Sequence, residues 1–504
     1  MNFRRPAALD FVLAAIFAAL TLFLTTQSNR FPSTYHPDEP SKARQVLGGE
    51  YNFHHPMLLL TTTQGLRALT GAPLEQEAVT ITGRWASALF TAGAVFCLVL
   101  IAASLGGSLA AAGAGALLAI NHELFELAHY FKEDPALLFG ISAFFLALLA
   151  YDRAPTAGRA LALGAALGLA ISGKYIGAFA LPFAAILLWQ RRDTLSLVRA
   201  SLLALAGLVA VLVLVNLPVF LHPALFADGF TREVDFVVAG HKGITRSVPH
   251  GVYWKIFIDA VMPVRWLPVV GLLLVLYYAG LWRRRAEITR AEWLLAAFPI
   301  AFALMLSFSP KTHHRYFLPD SALLLTLGTI GAARLPQWIS LPRRLAHLPA
   351  ALLVLAIAVQ TPTFLDYYLG FRHDGRTALA DYVRAHIPAD TVIVQDKRVD
   401  LDALDLPYQF RGKLFAADEG PLDQLRSQGV EYIAVAEGDY GRFFLKNLRP
   451  TDEGADDYAR RRAFYEELFK QGEKLHECQP GILQYLQPHL ILYRLPQQAQ
   501  SPQP

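Results

Sequence analysis

The chain has 504 residues, 54% hydrophobic and 17% charged, with a mean hydropathy of +0.34. A soluble protein carries about 25% charged residues, whereas residues 85–121, 200–221 and 345–365 carry none, which excludes a cytosolic enzyme. The net charge of +4 divides unevenly: residues 1–369 hold 28 Lys/Arg against 20 Asp/Glu, and residues 370–504 hold 17 against 21. A basic membrane part is therefore joined to an acidic tail, and the basic balance does not point to nucleic acid. With only Cys97 and Cys478, a disulfide scaffold and a cysteine-rich metal site are excluded as well.

A membrane-crossing helix needs about 20 apolar residues. Eleven segments qualify as candidates, with ten to thirteen the range: 8–26, 85–105, 108–122, 135–150, 159–172, 175–190, 199–221, 259–281, 291–308, 316–333 and 347–368. The first reads as a span rather than a signal peptide, because its apolar core is long and a further span follows. Between the first two spans, residues 27–80 form the first loop, and 40–49 and 56–68 are predicted as helices lying along the interface. One set of alternate loops holds fourteen Lys/Arg and three acids, while the other holds twelve of each. The positive-inside rule then places the basic set in the cytoplasm, so the acidic loops and the tail are expected outside.

The tail, 370–504, reads as a small α/β domain. Val392-Ile393-Val394, Tyr432-Ile433-Ala434-Val435 and Leu490-Ile491-Leu492-Tyr493 are predicted strands. A helix is expected over 376–386 after Asp374, and another over 456–475. Internal repeats are absent.

Ionisable residues just outside apolar spans are the strongest functional leads. The first loop carries Tyr35-His36-Pro37-Asp38-Glu39-Pro40 and Asn52-Phe53-His54-His55-Pro56. Adjacent carboxylates suit a general base or a cation, although Asp38 before Pro40 also suits a plain helix start. Glu39, His54 and His55 are the candidate ligands for a divalent metal, the one cofactor considered. The second outer loop ends in Lys132-Glu133-Asp134-Pro135, where Asp134 equally reads as a helix cap. Ser172-Gly173-Lys174-Tyr175 places a lone lysine at the outer headgroup level. Lys311-Thr312-His313-His314-Arg315-Tyr316 precedes the tenth span, and Arg232, His241, Lys242, Arg246 and His250 lie in a further outer loop. Cations outside the membrane run against the positive-inside rule; a phosphate in the outer leaflet would account for them, as would lipid head groups or the acidic tail.

Taken together, His36-Pro37-Asp38-Glu39, Glu133-Asp134-Pro135 opening a span, Ser172-Gly173-Lys174-Tyr175 and Lys311 to Pro319 resemble, in order, spacing and sidedness, the integral membrane glycosyltransferases of the GT-C superfamily. The nearest group is that of the bacterial aminoarabinose-transferase-like and protein-mannosyltransferase-like enzymes. The resemblance implies the GT-C fold over roughly residues 5–335, with 1–369 as the catalytic membrane domain. It implies an inverting transfer from a polyprenyl-phosphate sugar to an envelope glycan, lipid or protein. It makes Asp38 the base, with Glu39 sharing that role or holding a metal, and Asp134 the second acidic group. Lys174, Lys311 and Arg315, with His314 and Tyr316, would hold the donor phosphate, and His36, His54, His55, Glu133 and Tyr175 would line the site. The expected setting is the bacterial cytoplasmic membrane, the site facing outward, with membrane lipids as surroundings, a monomeric chain and no nucleic acid. A transporter or flippase of lipid-linked sugar is the alternative reading.

Overall fold

The computed structural model describes residues 5–30, 34–239, 244–246, 254, 257–258, 266–308, 313–339, 342–412, 414–445, 448–450 and 452–496. It divides into two compact units. The first comprises 1–29, 38–235 and 249–364, and the second 30–37, 236–248 and 365–504.

The first unit is helical. In chain order it begins with α1 (Ala8–Thr26), α2 (Glu39–Gly48), α3 (Leu58–Thr70), α4 (Gln76–Ala119), α5 (His122–Ala128), α6 (Asp134–Arg153), α7 (Ala157–Gly173), α8 (Leu181–Gln190) and α9 (Leu197–Val215), and continues with Leu267–Arg283, Arg290–Leu306 and Leu318–Trp338. Among the described residues six helices are long and apolar enough to cross a membrane, in place of the eleven expected: Ala8–Thr26, Gln76–Ala119, Asp134–Arg153, Leu197–Val215, His314–Trp338 and Arg343–His386. The chain is thus a polytopic, largely α-helical membrane protein with a β-sheet region towards its C-terminus. Gln76–Ala119, counted once, is two helices that meet across a kink at Gly107 (φ +76°), and it holds residues 85–105 and most of 108–122. Other apolar segments form helices of 17 residues or fewer, and 17 residues rise only about 25 Å.

Chain direction sets the ends of this unit. The α4 break lies beside the start of α1: Ser108 donates to Asp10 at 2.8 Å, and the Leu105 carbonyl, released by the break, accepts from Arg334 Nε at 2.6 Å. Arg334 also pairs with Glu292 at 2.5 Å, and Arg191 with Asp152 at 2.6 Å. These residues mark one end. The C-terminus of α1 and the N-termini of α4 and α6 mark the other, where the site lies.

Close packing between helices relies on absent side chains, as expected in apolar surroundings. α7 carries Gly164 and Gly168 four residues apart. A Cβ on Gly164 would stand 1.7 Å from the Ala204 carbonyl oxygen of α9, and one on Gly207 of α9 would stand 2.1 Å from that of Leu161. A Cβ on Gly140 would meet Ala170 backbone at 2.3 Å, and one on Gly173 would meet Ala136 backbone at 2.7 Å. The last contact brings the end of α7, hence Lys174, against the start of α6.

The first loop folds into α2 and α3, close to the two interfacial helices expected. α2 turns Glu39, Lys42, Ala43 and Val46 inward, one helical face. There Glu39 meets Arg84 of α4, with Arg84 Nε at 3.0 Å and Nη2 at 2.7 Å. Arg84 also donates to the Asn29 carbonyl at 3.0 Å, and Glu39 accepts the Phe131 N–H at 2.9 Å. Both side chains are about 1% exposed. This fork joins the end of α1, the start of α2, α4 and the second loop.

The second unit is built on a five-stranded sheet, order β3-β2-β4-β7-β6, from β2 (Val392–Gln395), β3 (Gln409–Arg411), β4 (Tyr432–Ala436), β6 (Glu473–Cys478) and β7 (Leu490–Arg494). β2 runs parallel to β3 and β4, while β7 is antiparallel to β4 and β6. A separate pair joins β1 (Ile244–Arg246) to β5 (Leu448–Pro450). The helix Gly375–His386 is capped by Asp374; the later one ends at Gln471, because Glu473–Cys478 leaves it to pair with β7. At the carboxyl end of β2, buried Asp396 accepts from Ala416 N–H at 2.8 Å, Ala436 N–H at 3.0 Å and the Tyr465 hydroxyl at 2.6 Å. These bonds fix the carboxylate at the strand end where open α/β sheets often receive ligands. Thr34, from the first loop, is held in this unit: its N–H donates to Asp400 at 3.3 Å and its carbonyl accepts from Arg376 at 2.7 Å.

Replacing Arg84 by Met leaves the Glu39 carboxylate buried without its main partner. The expected cost is about 3–5 kcal/mol, read as a lowered unfolding temperature in detergent. Glu39→Met with Arg84→Met removes both charges and should recover most of the loss; failure to recover would show that the pair is not the brace of the loop.

Candidate functional site

The site assembles where α2, the second loop, the start of α6, the end of α7 and the turn His314–Phe317 meet. Asp38 stands at the N-cap position of α2, its side chain making no capping bond, and ion-pairs with Lys132. One turn along α2, Lys42 ion-pairs with Glu133. Glu133 also lies 3.9 Å from Lys132 and 4.0 Å from His55 Nε2. Asp134, the first residue of α6, takes Lys174 at 2.8 Å. Lys174 Nζ stands 4.7 Å over the Tyr316 ring, and the Arg315 guanidinium stands 5.5 Å from the same ring. Lys174, Arg315 and Lys132 all act electrostatically on Asp134.

Exposure separates the three carboxylates. The Asp38 side chain is 48% exposed, that of Glu133 4% and that of Asp134 2%. Asp38 is therefore the acid within reach of an incoming molecule. Four cations (Lys42, Lys132, Lys174 and Arg315) face these three carboxylates, and Arg315 also acts on Glu126. Burial, reinforced by Lys42, Lys132 and Lys174, holds His55 well below the usual histidine range, and it adds no charge at neutral pH. Burial, with Lys132 beside it, lowers Lys42 to about 7. Lys132 is also lowered by burial, against the pull of Asp38.

The backbone around the cluster is fixed from several sides. Lys132 N–H donates to Ser87 Oγ at 3.3 Å, and Ser87 donates to the Lys132 carbonyl at 3.2 Å. Asn216 donates to Ser172 Oγ at 2.7 Å and accepts the Met57 N–H at 2.9 Å, joining the end of α7 to the start of α3. Tyr175 donates to the Phe53 carbonyl at 2.9 Å. Phe53 itself takes φ +48°, a left-handed conformation costly for a side chain with a Cβ, directly before His54-His55.

Asp38, Glu133, Asp134, His55, Lys174, Arg315 and Tyr316 thus come together. Glu39 turns into the Arg84 fork. His54 is partly exposed, its N–H on Asn52 Oδ1 at 3.1 Å. His314 opens the turn carrying Arg315 and packs on His313 at 4.1 Å. His36 belongs to the second unit, its ring edge-on to Tyr485 at 4.6 Å. Lys311, His241, Lys242 and His250 lie outside the described residues. Among the described residues no group of three or more His, Cys, Asp or Glu gathers as ion ligands, and with Glu39 on Arg84 the set Glu39, His54 and His55 does not fit a shared metal. Lys42, Arg84 and Asn216 were not singled out for the site by sequence. Lys42 carried a signal, standing one turn after Asp38 on the apolar face of α2.

The model of the dolichyl-phosphate-mannose-protein mannosyltransferase family matches residues 33–231, which include Asp38, Lys132, Asp134 and Lys174. No curated protein matches the sequence. Among solved structures, ArnT from Cupriavidus metallidurans bound to undecaprenyl phosphate is similar, with a TM-score of 0.53 at 17% identity over 99% of this chain and 100% of that one. The apo state of the same protein gives 0.53 at 16% identity over 95% and 97%. The chain has the fold of the GT-C membrane glycosyltransferases and resembles their ArnT-like and PMT-like members.

Proposed function

We propose that the chain is an inverting glycosyltransferase that moves a sugar from a polyprenyl-phosphate donor to an acceptor in the cell envelope. The observation that carries this reading is the half-exposed carboxylate of Asp38 set beside Lys132 in a cluster that also holds Lys42, Lys174 and Arg315. Asp38 takes the proton of the acceptor hydroxyl or amine as that group attacks the anomeric carbon. The bond from that carbon to the phosphate oxygen breaks on the opposite face, and the phosphate leaves with one further negative charge. Lys174 and Arg315 receive that charge, and Lys42 adds to the field. Asp134 orients Lys174 and is too enclosed to serve as a second base. Fixed charges aimed at growing charge in a water-poor site are commonly the largest contribution to rate. The proposed step uses only side chains of this chain. Its setting is the outer face of a bacterial cytoplasmic membrane, where no nucleotide-activated sugar is at hand and the donor must be anchored in the lipid.

Asp38→Asn keeps the shape but removes the proton acceptor. Label transfer from a radiolabelled polyprenyl-phosphate sugar should fall by about 10²–10⁴-fold, with the unfolding temperature little changed. Turnover persisting at the parent rate would remove Asp38 from the chemistry.

A pH series tests the cations. Lys42, with its pKa lowered to about 7, is protonated below that pH and neutral above it. A polyprenyl phosphodiester keeps one charge throughout, so its affinity should weaken by about tenfold, the worth of one charge-assisted hydrogen bond, between pH 6 and pH 8. Lys42→Met should bind at both pH values as the parent does at pH 8. Equal pH dependence in parent and variant would assign the titration to another group.

A further inference from the structure

We propose that Lys132 is a latch on Asp38 that the donor phosphate releases, so that the base is unmasked only after the donor is seated. This rests on the glycosyltransferase reading above and adds an order of events to it. Three observations carry it. First, the Lys132 ammonium pairs with Asp38, the one exposed carboxylate of the cluster, while its own side chain is only 3% exposed. A carboxylate covered by an ammonium is a poorer proton acceptor, because the cation stabilises the unprotonated form. Second, the ammonium has another place to go. Glu133 Oε2 lies 3.9 Å away, and the electrostatic reach of Lys132 extends to Arg315 and Asp134, the groups beside which a phosphate held by Lys174 and Arg315 would sit. Third, the move needs no backbone change. Lys132 is pinned at both its N–H and its carbonyl by Ser87, leaving the flexible side chain as the part that swings.

Burial already weakens the hold of Lys132 on its proton, so an anion arriving on its inner side competes on favourable terms with half-solvated Asp38. A phosphate monoanion offers the same charge as Asp38 in drier surroundings, where the attraction is stronger. When the ammonium moves to the phosphate, Asp38 regains its basicity as the donor comes into place. Lys132 then adds to the field that receives the leaving charge. Lys132 is ion-paired to Asp38, while Lys42 is held by Glu133 and Lys174 by Asp134.

The test uses the full chain in detergent with undecaprenyl phosphate as the probe. Asp38 is labelled with a water-soluble carbodiimide and an amine, and the modified peptide is quantified by mass spectrometry, while binding of the probe is measured separately. The parent should label slowly and become at least about fivefold more reactive when the probe is bound. Lys132→Met should label rapidly without the probe and respond less than about twofold at saturation. Lys132→Arg, which retains the charge, should restore slow labelling, a rescue that a purely structural lysine would not show. Binding of the probe without increased labelling in the parent, or an equal increase in Lys132→Met, would overturn the latch and leave the glycosyltransferase reading standing. Absence of binding in the parent would overturn that reading and the latch with it.

Discussion

A charge inside an apolar helical bundle must have a partner, because stripping water from an isolated ion costs several kcal/mol after relaxation. Several buried charges of the first unit follow this constraint, at both of its ends. At the end marked by the start of α1 and the break in α4, Asp10 takes Ser108, Asp152 takes Arg191, and Glu292 takes Arg334. At the other end Glu39 takes Arg84, Asp38 takes Lys132, Glu133 takes Lys42, and Asp134 takes Lys174. Both sets tie helices together. They differ in access, for at the second end Asp38 is half exposed.

The pairing also explains how adjacent residues can have different fates. Asp38 and Glu39 are both carboxylates, one peptide apart at the start of α2. The first helical positions diverge by about 100° in direction, so Glu39 enters the bundle to meet Arg84 while Asp38 stays at the rim. Glu133 and Asp134 repeat the arrangement at the start of α6, but there both enter, and each meets a lysine from another element. The fork on Glu39 holds the Phe131 N–H as well, so the brace sits one residue from Lys132 in one direction and one residue from Asp38 in the other. A structural pair of this kind is what keeps a reactive pair in register.

These relationships divide what could be read from the sequence from what could not. Asp134 and Lys174 were legible because each is a charge at the edge of a long apolar run, where chance placement is expensive, and Asp38 because it stands beside a second acid in the loop after the first span. The partners were not legible, since Arg84 reaches Glu39 across 45 residues and Lys174 reaches Asp134 across 40, and hydropathy holds no record of which side chains meet. The count of spans failed for a related reason. A sliding average registers apolar composition, whereas several of those segments form helices of 17 residues or fewer. In the second unit β2, β4 and β7 were visible as apolar runs because they lie inside the sheet. The edge strands β3 and β6 were not, because Gln409–Arg411 and Glu473–Cys478 present polar side chains and pair only on one side.

Under the proposed reading, charge balance links the static cluster to the course of the transfer. Departure of the sugar gives the phosphate a second negative charge, which the cations of the cluster stand ready to meet. Lys42 lies near its own titration point, so the field of a dianion close by raises its proton affinity and keeps it charged as the charge develops. Asp38 acquires its proton from the acceptor in the same step and loses its own charge. The charge that Asp38 loses offsets the one that the phosphate gains, while Lys42 stays charged. A site with a large fixed excess of cations would hold that product tightly and turn over slowly. A nearly neutral cluster whose protons move with the reaction meets the added charge when it forms and gives it up when the lipid phosphate departs.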